Sequence, residues 1–350
     1  MPTEAEQYHT MTAYLSRLYD APLFERAGVQ HPVVLYPAHA EQMGDVDSIL
    51  GRVPVDRTRA DDFAIYNHAL LQTLRNSGRN VFNGTTFALK LLKQRRGKLT
   101  LEATLGSYFD MLATCIALEQ ELRDAAATSK RGLRLPTRTQ LHRSVDPADA
   151  LTRGVGRSAA IGGNTLIVFA HEVGYKAMLM RRTAQAAIDA GRYHVMPAFI
   201  FQPKSSAVQP YEWSLRYHIE REYLEELFGM PETGAADFSA HPALLDLRAM
   251  LADGRALLHL TGVAVNLLTL RPEICFLLLI HDPDWYRRIT APDSTTPLNA
   301  DSEAAEVVLV PIASDHDLLN ALPPDVHTRM PAHALAALWA GVDQARQHLY

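Results

Sequence analysis

The segment Arg221-Glu222-Tyr223-Leu224-Glu225-Glu226 constrains this chain more than any other. In a helix, at about 100° per residue, Glu225 and Glu226 fall within about 60° of Glu222. His218 comes one turn earlier on the same side, while Tyr223, Leu224, Leu227 and Phe228 lie roughly opposite and form an apolar face to bury. Carboxylates this close repel one another, and like charges at i,i+4 destabilise an isolated helix. Such a cluster is stable on an ordinary solvated face or around a divalent cation, for which Mg²⁺ with hard oxygen ligands is the usual choice. The spacing predicts a helix over 213–228, closed by Gly229 as a C-terminal cap.

The residues before that helix read as strands. Runs at 165–169 and 175–180 are separated by the turn-like His171-Glu172-Val173-Gly174, and a third apolar and aromatic run follows at 193–201. A loop over 202–210 then leads to the acidic helix. Hairpin, strand, loop and acidic helix, with the Arg-Glu-apolar-any-Glu-Glu core at 221–226, resembles the Nudix hydrolase superfamily and its Nudix box. The box is divergent: the family's upstream Glu falls at Trp213, with Glu212 beside it, the lead-in reads Pro197-Ala198-Phe199 in place of glycines, and Phe228 stands where a Gly is expected.

The resemblance implies an α+β protein with a C-terminal Nudix-like α/β/α sandwich around a mixed sheet, preceded by a smaller α+β N-terminal domain. It also implies Mg²⁺ or Mn²⁺ held by Glu222, Glu225 and Glu226. Glu222 would be a ligand or base near the metal, and Arg221 the catalytic partner that holds a glutamate in place. An extra acidic ligand from a late loop would be Glu303 or Glu306. The implied reaction is hydrolysis of a nucleoside diphosphate linked to another moiety, so the implied partner is a nucleotide-like small molecule. Arg181 and Arg182, at a strand end, are candidate phosphate contacts, and Tyr193 and His194 candidate substrate contacts on the strand leading to the helix. Two readings stay open: a hydrolase, or a Nudix-like ligand-sensing regulatory protein in which turnover is weak.

Other strands are expected at 255–262 with a continuation over 263–268, at 273–280 and at 305–312; a closing helix starts at Pro331. With 350 residues the chain has room for about two domains, read as an N-terminal α+β domain at 1–145 and the Nudix-like domain at 153–350. In the first, a helix is expected near 11–23, a strand at 32–37, a helix at 60–74, a turn at Asn83-Gly84-Thr85-Thr86, a strand at 98–103 and a helix at 108–123. The basic clusters at 90–98 and 130–143 read as solvated loop or helix faces. Gly154, Gly156, Gly162 and Gly163 lack the strand-before, helix-after setting of a phosphate cradle and read as a flexible lead-in to the first strand of the C-terminal half.

A net charge of −5 is unlike the footprint of a nucleic-acid binder. Cys115 and Cys275, distant and in apolar surroundings, suggest buried thiols in a reducing compartment, and no His-Glu-any-any-His zinc motif appears. The polar start of the chain and the absence of a long apolar run make a cytoplasmic protein with no membrane partner the expectation. The N-terminal domain leaves room for a homodimer or a protein partner.

Overall fold

A computed structural model describes residues 2–76, 82–128, 132–183, 191–204, 208–231, 238–299 and 304–349. In chain order its strands are β1 (Phe24–Arg26), β2 (Val29–His31), β3 (Val33–Pro37), β4 (Thr85–Arg95), β5 (Lys98–Ser107), β6 (Gly162–Ala170), β7 (Tyr175–Arg182), β8 (Tyr193–Val195), β9 (Ala198–Ile200), β10 (Ala256–Asn266), β11 (Arg271–Ile280) and β12 (Ala304–Pro311).

The main sheet has the order β12-β7-β6-β11-β10-β3, with β8 on β7 and β9 on β6. It is mixed: β6 and β11 run parallel, the other pairs antiparallel. Strands β6 and β11 are buried almost end to end, as strands covered on both faces must be. Along β11, Ile274, Phe276, Leu278 and Ile280 join one apolar cluster and Cys275, Leu277 and Leu279 the other, the period of two expected of a strand. The first cluster packs under the acidic helix (Leu215–Phe228), the second under the closing helix (Ala332–Leu349). The architecture is therefore α+β, with a mixed sheet held between helices. Among the described residues no helix is long and apolar enough to cross a membrane.

The earlier part of the chain is knitted into this body. Strand β3 pairs with β10 and forms the edge of the main sheet. The first helix (Glu4–Tyr19) opens with a Thr3–Glu6 capping box and buries Met11, Leu15 and Tyr19 in the same cluster as the acidic helix. Strands β4 and β5 form a hairpin closed by Arg96 and Gly97, both at positive φ (51° and 82°), as a two-residue primed turn requires.

Several expectations are corrected here. Thr85 and Thr86 belong to β4 rather than to a turn, and the basic cluster at 90–98 lies on the hairpin rather than on a loop or helix, with Lys90, at the register shift between Leu89 and Leu91, and Lys93 exposed and paired with Asp56 and Glu102. The helix expected at 60–74 is a short turn at Ala60–Asp62 followed by a helix at His68–Asn76. The run at 193–201 is two short strands on either side of Met196 and Pro197, because proline cannot donate to a ladder. The glycine stretch before β6 is not a flexible lead-in: Leu89 N–H donates to Ala159 O at 2.8 Å and Ile161 N–H to Phe87 O at 2.8 Å. A Cβ at Gly154 would stand 1.8 Å from Leu89 O, so glycine there permits close approach of two backbones.

Candidate functional site

The acidic helix is positioned from both ends. Ser214 Oγ accepts the Tyr217 N–H at 3.2 Å, and Asp47, from the early part of the chain, accepts the Ser214 hydroxyl at 2.9 Å and the Arg216 N–H at 3.4 Å. A carboxylate at this end meets otherwise unsatisfied N–H groups and the positive pole of the helix. Gly229, at φ 64°, ends the helix in the left-handed region. Between these caps Tyr223, Leu224 and Leu227 enter the core, and Glu222, Glu225 and Glu226 line a cavity of about 1020 Å³.

These carboxylates are not solvated. Glu222, Glu225 and Glu226 are each 8% exposed and Arg221 7%. The surface reading of the acidic face is thereby overturned: the first helix, through Tyr8 and Met11, and the later Phe82 and Tyr108 form walls of the same cavity. Arg221 bonds Glu222 Oε1 and Gln202 O, and its Nε stands 3.6 Å from Glu225 Oε1. Burial opposes the guanidinium's charge, yet the coulombic pull of Glu222 and Glu225 raises its pKa above the ordinary arginine value. Glu226 Oε1 accepts the Ala198 N–H.

His218 is fully enclosed and held well below the usual histidine range, by burial first and then by Arg221. A neutral ring with its proton on Nε2 donates to Glu212 O at 2.8 Å. Glu212 accepts the N–H groups of Lys204 and Gln209 at 2.7 and 2.8 Å, one on each oxygen. Its carboxylate organises the loop before the helix. Tyr217, also on the cavity, is pushed up to about 12 chiefly by burial.

The other sequence-selected residues separate by strand alternation. Arg182 lines the cavity, whereas Arg181 points to the opposite face and pairs with Glu306 at 3.3 Å. Glu306 is thus engaged at a sheet edge, and Glu303 lies outside the described residues. His194 reaches the cavity and its Nε2 lies 3.3 Å from His333 Nε2; Tyr193 packs against the closing-helix cluster.

The carboxylates supply the hard oxygen chemistry that a divalent cation takes. Their placement does not fit one: among the described residues no three His, Cys, Asp or Glu groups converge as a metal site requires, and the guanidinium of Arg221 engages Glu222 and Glu225 instead.

The sequence reading missed the other side of the cavity. Asn164, Asn266, Arg271 and Glu273 contribute from strand ends, and His333 from the start of the closing helix. The available signals were a lone carboxylate opening the apolar run of β11 and the Gly162-Gly163 pair opening β6.

No protein-family model matches the chain, and no curated protein does. Among solved structures, a bifunctional NMN adenylyltransferase/ADP ribose pyrophosphatase from Francisella tularensis, complexed with AMP and a Mn ion, aligns at 13% identity over 53% of this chain and 42% of that one, with TM-score 0.30. A Nudix hydrolase from M. smegmatis aligns at 12% identity over 55% of this chain and 86% of that one, with TM-score 0.25. The chain thus spans less than half the length of the first. At such low similarity neither likeness decides the fold or the activity.

Proposed function

We propose that this chain is a Nudix-like protein whose cavity takes a nucleotide-like, phosphorylated small molecule. The observation that carries this is the burial of the Arg221-Glu222-Tyr223-Leu224-Glu225-Glu226 face against a cavity large enough for such a ligand. Arg182 and Arg192, which border the cavity next to each other through the 2.9 Å bond of Arg182 N–H to Arg192 O, would contact the phosphates. Tyr217 and Tyr211, in edge contact at 5.5 Å between centroids, offer aromatic surface to a base.

The reading the geometry favours is binding without efficient turnover, because Arg221 already engages Glu222 and Glu225, two of the three carboxylates of the acidic face. In that case the first helix, which shares the cavity wall, would pass occupancy on to a partner of the N-terminal region. The second reading, a hydrolase of a nucleoside diphosphate linked to another moiety, is favoured by the i, i+3, i+4 array of carboxylates on the cavity.

The deciding experiment is calorimetric binding of a panel of nucleoside diphosphates and their conjugates, with and without Mg²⁺ or Mn²⁺, alongside product release. Glu225→Gln and Glu226→Gln are tested in parallel. Binding that needs no metal and yields no product supports the sensing reading. Metal-dependent release that both variants abolish establishes the hydrolase. Absence of binding throughout rejects both.

A further inference from the structure

Glu273 is a carboxylate buried to 4% exposure at the start of a strand whose following residues are all buried apolar or cysteine. By the alternation of β11 it stands with Cys275 and Leu277 on the closing-helix side, at the sheet end where the cavity bordered by the acidic helix is also lined by Asn164, Asn266 and His333. It lies flat over β6, where its register partner is Gly162. A Cβ at Gly162 would come within 1.7 Å of Glu273 Oε2, so any other residue there would drive the carboxylate away. Arg271 Nη2 stands 3.3 Å from Oε1, and Asn164 Nδ2–H donates to Oε2 at 3.2 Å. A buried ion pair of this kind adds little to net stability over apolar packing. What it gives the cavity is a fixed acceptor.

Beyond Arg271 and Asn164, Asn266 and His333 line the same end of the cavity. Leu268 N–H donates to Asn266 Oδ1 at 3.0 Å, which orients the amide so that its Nδ2–H donates to His333 Nδ1 at 3.0 Å. A carboxylate with two oxygens, held in place by Arg271 and Asn164, matches adjacent hydroxyls, each of which can donate to it. A cationic ligand group is disfavoured there by Arg271.

We propose that Glu273, held by Arg271 and Asn164 across Gly162, contacts the ligand directly and selects the vicinal diol of a ribose-type sugar. The inference rests on the reading of the cavity as a nucleotide-like site and adds the sugar class to it. Hydrogen bonds to a charged acceptor discriminate strongly against an analogue that lacks the hydroxyl, by roughly tenfold or more.

The test is titration calorimetry of the full chain with ADP, 2′-deoxy-ADP and 2′,3′-dideoxy-ADP. Wild type is expected to bind ADP roughly tenfold or more tighter than the dideoxy analogue. Glu273→Gln should shrink that ratio to about threefold or less while leaving affinity for the dideoxy analogue nearly unchanged. Glu273→Asp, which keeps the charge beside Arg271 but withdraws it by one methylene, should also compress the ratio; it serves where the Gln variant does not fold. A purely structural role would move all three affinities together and leave the ratio intact. Equal binding of the three nucleotides by wild type overturns this inference alone. Binding of none overturns the reading of the cavity and this inference with it.

Discussion

Glu226 Oε1 accepts the backbone N–H of Ala198 at 2.9 Å, which ties the acidic helix to β9 and so to the N-terminal end of β6. A glutamine can keep this bond through its carbonyl oxygen, whereas alanine cannot. Glu226→Ala should therefore cost about 1–3 kcal/mol, with Glu226→Gln much milder. Thermal unfolding of both variants checks this, and equal melting points would show that the bond is immaterial. The expected gap makes Glu226→Gln the suitable probe of charge in the binding assays.

Asp47 caps the acidic helix from nearly 170 residues away, through Ser214 and the N–H groups of Leu215 and Arg216. Replacing it with alanine leaves several of these donors unsatisfied and should cost about 1–2 kcal/mol. Asp47→Ala is expected to lower the urea midpoint and to weaken ADP binding through disorder of the cavity wall. Unchanged amide-exchange protection at 215–217 would contradict the capping role.

His31 is held down to about 4, first by burial and then by His327. Because its neutral form is favoured in the folded state, its contribution is fully present above the ordinary histidine value near 6.5 and is lost as pH falls toward 4. The loss approaches roughly 3 kcal/mol at the lower end. His218, also held low, acts in the same direction. Urea unfolding at neutral pH and at about pH 4.5 should show a smaller drop for His31→Gln than for wild type. An equal drop would assign the acid sensitivity to other groups.

Arg181 and Arg182 are neighbours with opposite fates, one paired with Glu306 and the other on the cavity. Arg182→Ala is expected to weaken ADP binding about tenfold or more, as loss of a charge-assisted contact does. Arg181→Ala should leave affinity within about twofold, since an exposed pair contributes little. The reverse result would place the phosphates on the other face of the sheet.

The strands most legible in the sequence were those whose own pattern carries the information. The apolar runs of β6, β7, β10, β11 and β12 announce themselves, and so does the acidic helix with Gly229 at its end. Less legible was whatever depends on a distant partner. The glycines at 154–163 look like a loop until β4 is beside them, and the basic residues at 90–98, solvated as expected, look like a loop or helix face until β4 and β5 pair.

Local chemistry in the sequence thus determined that Glu222, Glu225 and Glu226 share one side of a helix, because a helix has a fixed angular step. Whether that side meets water or a cavity was decided by tertiary packing, which set the loop at Gln202 against Arg221 and brought Tyr8 and Met11 of the first helix to the wall of the same cavity. Glu273 is the converse case. A lone carboxylate opening an apolar strand is a weak local mark, and it becomes part of a site because the parallel register sets Gly162 beside it and the closing helix brings His333 to the same sheet end. Strand pairing joins residues over a hundred positions apart, and no local periodicity encodes that registration.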